Sequence, residues 1–257
     1  MSSHFACTMC GRCCRDLRIP LGLAEALDWL RDGGDVQILC EAIPWLVEPG
    51  ADDLHAAYKF ERSSPAVSGT LPVRVIVLVV AAFDGPCPNL QPDFRCGAYD
   101  RRPRVCRIYP AEINPFIALQ PAAKGCPPEA WDERHPVLEV SGRYLDPALA
   151  ADSAAFRDTD IREVEARRKL CGLLGVHTAA LANEGFVVVS PGREVLMRAI
   201  ALAMDDAVAD DAPATAWTLV SNRRRIRDAL VSVDAVAASP ETLPEQHVFL
   251  GFHAAED

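Results

Sequence analysis

Four cysteines stand within eight residues at the start of this chain, Cys7, Cys10, Cys13 and Cys14, in the order C-x-x-C-x-x-C-C. Thiolates are the preferred ligands of zinc and of iron–sulfur clusters, and a two-residue gap lets a tight turn aim successive sulfurs at one centre. Four more cysteines follow at Cys87, Cys96, Cys106 and Cys126, so that eight of the ten cysteines lie in two groups. Eight thiolates suit two four-sulfur sites, or one site with spare or exchanging ligands. The adjacent pair Cys13-Cys14 adds a constraint, because neighbouring side chains usually diverge; one of them can serve a second site or act as an exchangeable ligand.

At 257 residues the chain is long enough to bury a real core, as one large domain or two small ones. The N-terminus has neither a basic start nor an apolar core of the secretory kind. The most apolar run, Val73 to Phe83, is far shorter than the ~20 residues of a membrane-spanning helix. The expectation is a cytoplasmic protein with no membrane partner, in a reducing compartment where close cysteines bind metal or do redox chemistry rather than form structural disulfides.

A net charge of −10 argues against general nucleic-acid binding. The charge is uneven. Residues 85–126 hold five Arg and one Lys against two Asp and one Glu, a balance of +3, whereas residues 151–257 hold 11 basic and 17 acidic side chains, a balance of −6. A four-thiolate cluster is itself anionic, and nearby charge and hydrogen bonds to sulfur tune it. Arg95, Arg101, Arg102, Arg104 and Arg107 can supply both, with Arg102 and Arg107 as the candidate cofactor-binding residues; for most of the five, ordinary surface ion pairs are the simpler reading. The run Asn222-Arg-Arg-Arg-Ile-Arg227 reads as a solvated helix face in an acidic neighbourhood.

Periodicity organises the remainder. Leu21 to Asp32 reads as a short amphipathic helix ended by Gly33-Gly34, and Val36, Ile38 and Cys40 alternate as in a brief strand. Residues 44–70 read as irregular. Val73 to Val80 is rich in β-branched residues and reads as a buried strand, running into the turn Asp84-Gly85-Pro86 that delivers Cys87. Residues 86–128 are dominated by Pro, Gly, Arg and Cys and lack the apolar surface to fold alone, which leaves a metal as their organiser. Beyond residue 153 three helices are expected: one through Ile161, Val164, Cys171 and Leu174, one through Leu196, Ile200, Ala203 and Ala207, and one through Leu219, Ile226, Leu230 and Val233. Phe186 to Val189 reads as a short strand.

The fold class expected is therefore α+β: an irregular, cysteine-rich, metal-organised domain with a short buried β element over residues 1–150, then a mainly helical region over 151–257. Cys40 and Cys171 read as buried inert thiols. His4, three residues before Cys7, is the histidine near enough to reach a metal, but the cysteines already suffice. Tyr99 and Tyr109 can hydrogen-bond cluster sulfurs or pack over the metal loop. Arg102-Pro103 reads as a loop-fixing pair, its guanidinium bonded to backbone carbonyls or Asp100.

The second block runs Cys96-Gly-Ala-Tyr99-Asp-Arg-Arg102-Pro103-Arg-Val-Cys106-Arg107-Ile-Tyr109-Pro110. With Cys7 to Cys14, Cys87-Pro-Asn-Leu90 and Gly125-Cys126, all in order, it resembles the YkgJ-type cysteine-cluster family, a zinc- or iron-chelating CxxCxxCC domain. Ala98 stands where that pattern usually has Ile, a packing change that touches no ligand. The resemblance covers residues 7 to about 127 and implies metal or cluster binding more firmly than any reaction. Related domains occur in flagellin lysine N-methylases, which are longer; no glycine-rich methyl-donor motif and no radical-type C-x-x-x-C-x-x-C spacing is found here.

Ligand spacing favours an iron–sulfur cluster, of the 4Fe–4S type, over zinc. C-x-x-C-x-x-C with a remote Cys-Pro is the bacterial ferredoxin arrangement, and Cys87-Pro88 and Cys126-Pro127 are both such pairs. Zinc sites more often pair two C-x-x-C knuckles, although zinc accepts almost any four-thiolate cage. The expected role is electron transfer or redox chemistry with an unidentified redox or protein partner. The alternatives are a structural zinc domain that presents the second half to a partner, and a protein N-methylase-like enzyme.

Overall fold

The computed structural model describes residues 2–50, 52–205 and 216–256. A short strand, β1 (Ser2–His4), leads into the first cysteine block, which closes on a single 3-10 turn at Arg12–Cys14. There follow β2 (Arg15–Leu21), α1 (Leu23–Arg31), β3 (Asp35–Pro44), α2 (Leu54–Glu61), β4 (Ser64–Ser68) and β5 (Leu71–Pro86). The cysteine-rich stretch after β5 contributes α3 (Arg104–Ile108) and isolated 3-10 turns. Beyond it lie β6 (Val137–Val140), β7 (Arg143–Tyr144), α4 (Pro147–Arg162), α5 (Val164–Leu174), β8 (Thr178–Leu181) and β9 (Gly185–Val189). The chain ends through α6 (Arg193–Ala203), β10 (Thr218–Val220), α7 (Arg224–Val231), β11 (Ala237–Ala238) and β12 (His247–Gly251).

Strand β5 pairs with β2, β3 and β4 in a nine-stranded mixed sheet. Its β-branched residues alternate: Leu71, Val73, Val75, Val77 and Val79 point into the main core, alongside Val36, Ile38, Cys40 and Ala42 of β3. Helices α1, α5 and α6 cover that face, contributing Leu23, Ala26, Trp29, Leu170, Leu196 and Ile200. Burying each large aliphatic side chain there stabilises the fold by about 1.5–3 kcal/mol. The opposite face carries a smaller cluster of Leu39, Val80 and Val188.

Antiparallel pairing of β2 and β5 aligns Arg15 with Pro86 and Leu21 with Val79. The first residue after the cysteine block therefore lies beside the last residue before Cys87. On its other edge β3 pairs with two strands from the second half, β9 through Ile38–Val189 to Cys40–Val187 and β8 through Glu41–Ala180 and Ala42–Leu181. A separate three-stranded sheet, β1-β6-β7, holds the N-terminal arm.

Mixed α and β structure is as expected, and so are the helices at α1 and α6 and the strands at β3, β5 and β9. The second half is less exclusively helical than expected, since β8 to β12 all fall within it. Leu219 lies in β10, between β8 and β11, because its Thr-Leu-Val run meets two parallel partners; the helix begins only at Arg224. The helix expected through Ile161 and Leu174 is two, broken at Glu163. Ala207 lies outside the described residues. The segment read as irregular, 44–70, holds α2, whose N-terminus is capped by Asp53 accepting from the Ala56 amide at 2.9 Å, and β4, which pairs along β5 across the Gly69-Thr70 turn. Pro65 is tolerated in β4 because that strand has a single full-length partner.

A buried ionic knot joins the helices under the sheet. Arg167 of α5 is 5% exposed, and its guanidinium bonds Asp160, Glu163 and the Val77 carbonyl. Glu163 in turn accepts from the Leu23 amide at 3.0 Å, so a carboxylate sits at the positive N-terminus of α1. The Glu163 carboxylate thus meets the Arg167 charge and the α1 backbone together, while Arg167 Nε is left without a partner.

Candidate metal centre

The eight motif cysteines lie before β2 and after β5, two strands that pair with each other. Gly11, in the left-handed region at φ 69°, turns the chain so that the Cys14 amide reaches the Gly11 carbonyl at 3.1 Å. A Cβ on Gly11 would lie 2.9 Å from Phe94 and 3.5 Å from Leu90, so the first block packs directly on the loop after Cys87. The Cys87 amide donates to the Cys14 carbonyl at 2.7 Å, and the Gly85 amide to the Asp16 carboxylate at 2.6 Å. These bonds extend the strand pairing into the cysteine region.

From Cys87 the chain forms a closed loop. The Leu90 amide reaches the Cys87 carbonyl at 2.8 Å, Leu90 bridges to Cys96, and the Gly97 amide returns to Asn89 at 2.7 Å. Cys106 lies on α3, whose first amide, of Arg104, donates to Glu25 of α1 at 2.7 Å. Ile108 of the same helix is fully buried against Leu149 and Phe156, which ties α3 to α4. Cys126 is reached last: the Tyr109 hydroxyl bonds the Gly125 amide at 3.2 Å and the Cys126 Sγ at 3.5 Å.

Electrostatics reports which thiols are neighbours. Cys13 and Cys14 share a hydrogen bond, Sγ to Sγ 3.9 Å. It raises Cys13, which burial and the charges of Cys14, Cys126 and Cys7 push further up. The same bond lowers Cys14 to about 7 against the effect of burial, with help from Arg102. Cys106 is pushed up to about 12, first by burial and then by Cys14, Cys87 and Cys96. Cys87 is raised by burial, opposed by the amides of Asn89 and Leu90, and raised again by Cys14 and Cys96. Burial raises Cys126, the Tyr109 hydrogen bond lowers it, Cys10 and Cys7 raise it, and Lys124 lowers it. Cys13, Cys87, Cys106 and Cys126 thus hold their protons, unlike Cys14, and a bound cation would replace those protons.

The donor set fits a soft metal or an iron–sulfur cluster: seven of the eight sulfurs are half-buried, Cys7 is exposed, and none is tied in a disulfide. Among the described residues, no group of three or more His, Cys, Asp or Glu side chains is gathered as a finished ion cage. The loops bring the thiols into range without closing them on a point.

The arginines divide. Arg107 bonds Asp152 of α4 at 2.9 Å, Arg101 pairs with Asp32, and Arg104 reaches Thr159 at 3.2 Å. Arg102 is the one whose charge acts on Cys14 and Cys106; its Nε donates to the Tyr99 carbonyl and its guanidinium lies 3.8 Å over the Tyr99 ring. It thus fixes the loop through a backbone carbonyl, as expected. His4 bonds the His135 carbonyl at 2.8 Å. Cys40 and Cys171 are buried together in the main core, with the hydrogen bond between them and burial both raising Cys40. Sequence reasoning did not single out Lys124, held by Glu112 beside Tyr109, nor the Asn89 and Leu90 amides facing Cys87. The motif residues Cys87-Pro-Asn-Leu90 contain that signal, but a backbone donor leaves no mark on residue identity.

No curated protein and no solved structure matches the chain. One family model does, that of the CxxCxxCC domain, described as a "Putative zinc- or iron-chelating domain", and it spans residues 6–127. Those residues run from just before Cys7 to just after Cys126 and so contain all eight motif cysteines. Residues 6–127, just under half of the chain, are thus similar to the CxxCxxCC cysteine-cluster domain family.

Proposed function

We propose that this protein holds an iron–sulfur cluster of the 4Fe–4S type, through thiolates drawn from Cys7, Cys10, Cys13, Cys14, Cys87, Cys96, Cys106 and Cys126, for electron transfer or redox chemistry. The observation that supports this reading is that the β2–β5 pairing and the Cys87 amide bond to the Cys14 carbonyl bring the first cysteine block beside the start of the second, with all eight motif thiols free of disulfides. The C-x-x-C-x-x-C run followed by remote Cys-Pro pairs is the ligand order of bacterial ferredoxins. A cluster bound there would supply one-electron chemistry. The chain's own residues do the positioning: the Cys14–Cys87 backbone bond sets the spacing of two blocks, Tyr109 aims Cys126, and Arg102 and Lys124 place positive charge beside the sulfurs.

Protein purified without oxygen should be brown and contain iron and acid-labile sulfide in comparable amounts. Colourless protein carrying zinc and no sulfide would overturn the iron–sulfur reading in favour of a structural zinc domain, which the same thiols could equally serve.

A further inference from the structure

We infer that Glu25 is the positioning residue for Cys106: its carboxylate holds the start of α1 with one oxygen and the start of α3 with the other, and so sets where the Cys106 thiol stands. The inference rests on the metal-binding reading above, in which Cys106 is a ligand. It adds a residue outside the motif cysteines that prepares the site.

Helix α3 cannot place Cys106 by itself. It has five residues, Arg104–Ile108, and so few internal hydrogen bonds that its position depends on what it is tied to. Pro103 stands at its N-cap, where a Ser, Thr, Asp or Asn side chain would accept from the first turn, and offers no such acceptor. The acceptor comes from another helix. Glu25 Oε1 accepts from the Arg104 amide at 2.7 Å, while Glu25 Oε2 accepts from the Gly22 amide at 3.0 Å. Hydrogen bonds to an ionised acceptor are roughly twice as strong as neutral ones.

The second tie between the same segments is the weaker one. Asp32, just past the end of α1, pairs with Arg101, but the two side chains are 51% and 67% exposed, and a pair so open to solvent contributes little. Glu25 is half-buried, on the wall of a cleft that α1 shares with Asn89, Arg102 and Pro103. The other anchors of α3 are apolar: Ile108 is buried with Leu149 and Phe156, and Val105 packs against the main core. Apolar burial has no direction, so it holds α3 down without fixing its place along α1. The bond to Arg104 supplies that direction. Cys106 follows two residues later, with its own amide on the Pro103 carbonyl at 2.9 Å, so a displacement at Arg104 reaches the thiol within one turn. Helix α1 is a firm reference, because Leu23, Ala26, Trp29 and Leu30 all lie in the main core.

The test uses the full chain as wild type, E25A, E25Q and a control, D53A, which removes the carboxylate cap of α2 and leaves Glu25 and Arg104 as they are. Metal-free protein is treated with iodoacetamide, and the rate at each cysteine is read by mass spectrometry. Cys40 and Cys171, buried in the core, report whether a variant is folded. E25A should raise the Cys106 rate about tenfold and leave Cys126, which Tyr109 holds, unchanged. Each chain is then loaded without oxygen, with ferrous iron and sulfide in one arm and zinc(II) in the other, and challenged with a chelator. Retention by E25A should weaken about 10–100-fold, the range for an outer hydrogen bond behind a ligand. E25Q keeps one acceptor oxygen, can hold one amide of the two, and should fall between E25A and wild type in both readouts. D53A should melt earlier yet match the wild type at Cys106 and in metal retention.

Wild-type behaviour of E25A, in Cys106 rate or in metal retention, would overturn the assignment. So would a D53A that opens Cys106 as far as E25A does, since lost stability would then account for both. If E25A exposes Cys40 and Cys171, E25Q decides by the same two readouts, and wild-type values in it overturn the assignment. Wild-type chain that retains neither metal refutes the metal-binding reading; the Cys106 rates in metal-free protein still decide whether Glu25 holds that thiol in place.

Discussion

The amide of Cys87 donates to the carbonyl of Cys14 at 2.7 Å, and this one bond couples the cysteine region to the sheet. It continues the β2–β5 ladder past Arg15 and Pro86, so two motif blocks more than seventy residues apart in sequence meet in fixed register. A metal site built on strand ends inherits the rigidity of the strands, whereas the loops that complete it are free to adjust.

Gly11 is the position where that arrangement is most exposed to a small change. Its φ of 69° disfavours any side chain by about 1–2 kcal/mol, and a Cβ would press on Phe94 at 2.9 Å. Gly11→Ala should lower the melting temperature and reduce metal per chain, both measured on the same preparation. A variant that binds metal at wild-type level with unchanged melting would show that the close packing of the first block on the Cys87 loop is dispensable.

Tyr109 touches both the Gly125 amide and the Cys126 sulfur through one hydroxyl. Outer hydrogen bonds of this kind are worth 10–100-fold in metal affinity, on the order of 1–3 kcal/mol. Tyr109→Phe keeps the ring under Lys124 and should weaken metal retention by about tenfold in a chelator competition, with little change in folding. Equal retention by the two proteins would mean that Cys126 is aimed by its backbone alone.

Arg167 faces the opposite test, one of stability without metal. Its guanidinium is shared by Asp160, Glu163 and the Val77 carbonyl under the sheet. Arg167→Met leaves Asp160 with Arg62 and Glu163 with the Leu23 amide but removes the buried cation between them, and breaking a buried pair in this way costs up to about 3–5 kcal/mol. Urea unfolding followed by circular dichroism should show a loss of unfolding free energy of that size. A loss under 1 kcal/mol would mean that water replaces the guanidinium.

Glu184 should give the protein an acid-sensitive element away from the cysteines. Its carboxylate accepts from Arg223 Nε at 2.8 Å and from the Ser221 hydroxyl at 2.9 Å, and these bonds, Arg223 first, hold its pKa below the ordinary 4.5. A depressed carboxylate contributes stability in full above its unfolded pKa and loses it as pH falls through the folded value. Between pH 7 and 5 the wild type and Glu184→Gln should differ by a constant margin of about 1–3 kcal/mol, and below pH 4.5 the two unfolding curves should converge. A margin that persists undiminished at pH 2 would show that the carboxylate's charge is irrelevant to its role.

Much of the site and part of the fold could be read from the sequence, for reasons that differ. Cysteine spacing is a covalent record of the donor set, so the motif residues and the family were legible. Val73 to Val80 could be read because β-branching and apolarity coincide there. The parallel strands β8, β10 and β11 could not: Thr178-Ala-Ala-Leu and Ala237-Ala carry no alternation, and β8 is a strand because β3 and β10 flank it while β11 adds to the edge at β10.

The shared sheet also predicts what cutting the chain would do. A fragment ended at residue 150 keeps every motif cysteine but loses β8 and β9, leaving the β3 edge from Ile38 to Ala42 without its partners. It also loses Leu170, Leu196 and Ile200, which cover the apolar face of β5. An unpaired edge beside an uncovered face is a template for strand addition between chains. The fragment should therefore be insoluble or form large oligomers in size-exclusion chromatography, and co-expression with residues 151–257 should restore a soluble complex. In the full chain, fluorescence of the tryptophans and loss of metal absorbance should follow one urea transition, because the strands that hold Cys14 and Cys87 are the strands that the second half completes. A soluble, monomeric fragment that binds metal as the full chain does would show that the β3 edge protects itself, and that the cysteine region folds without the strands paired to it.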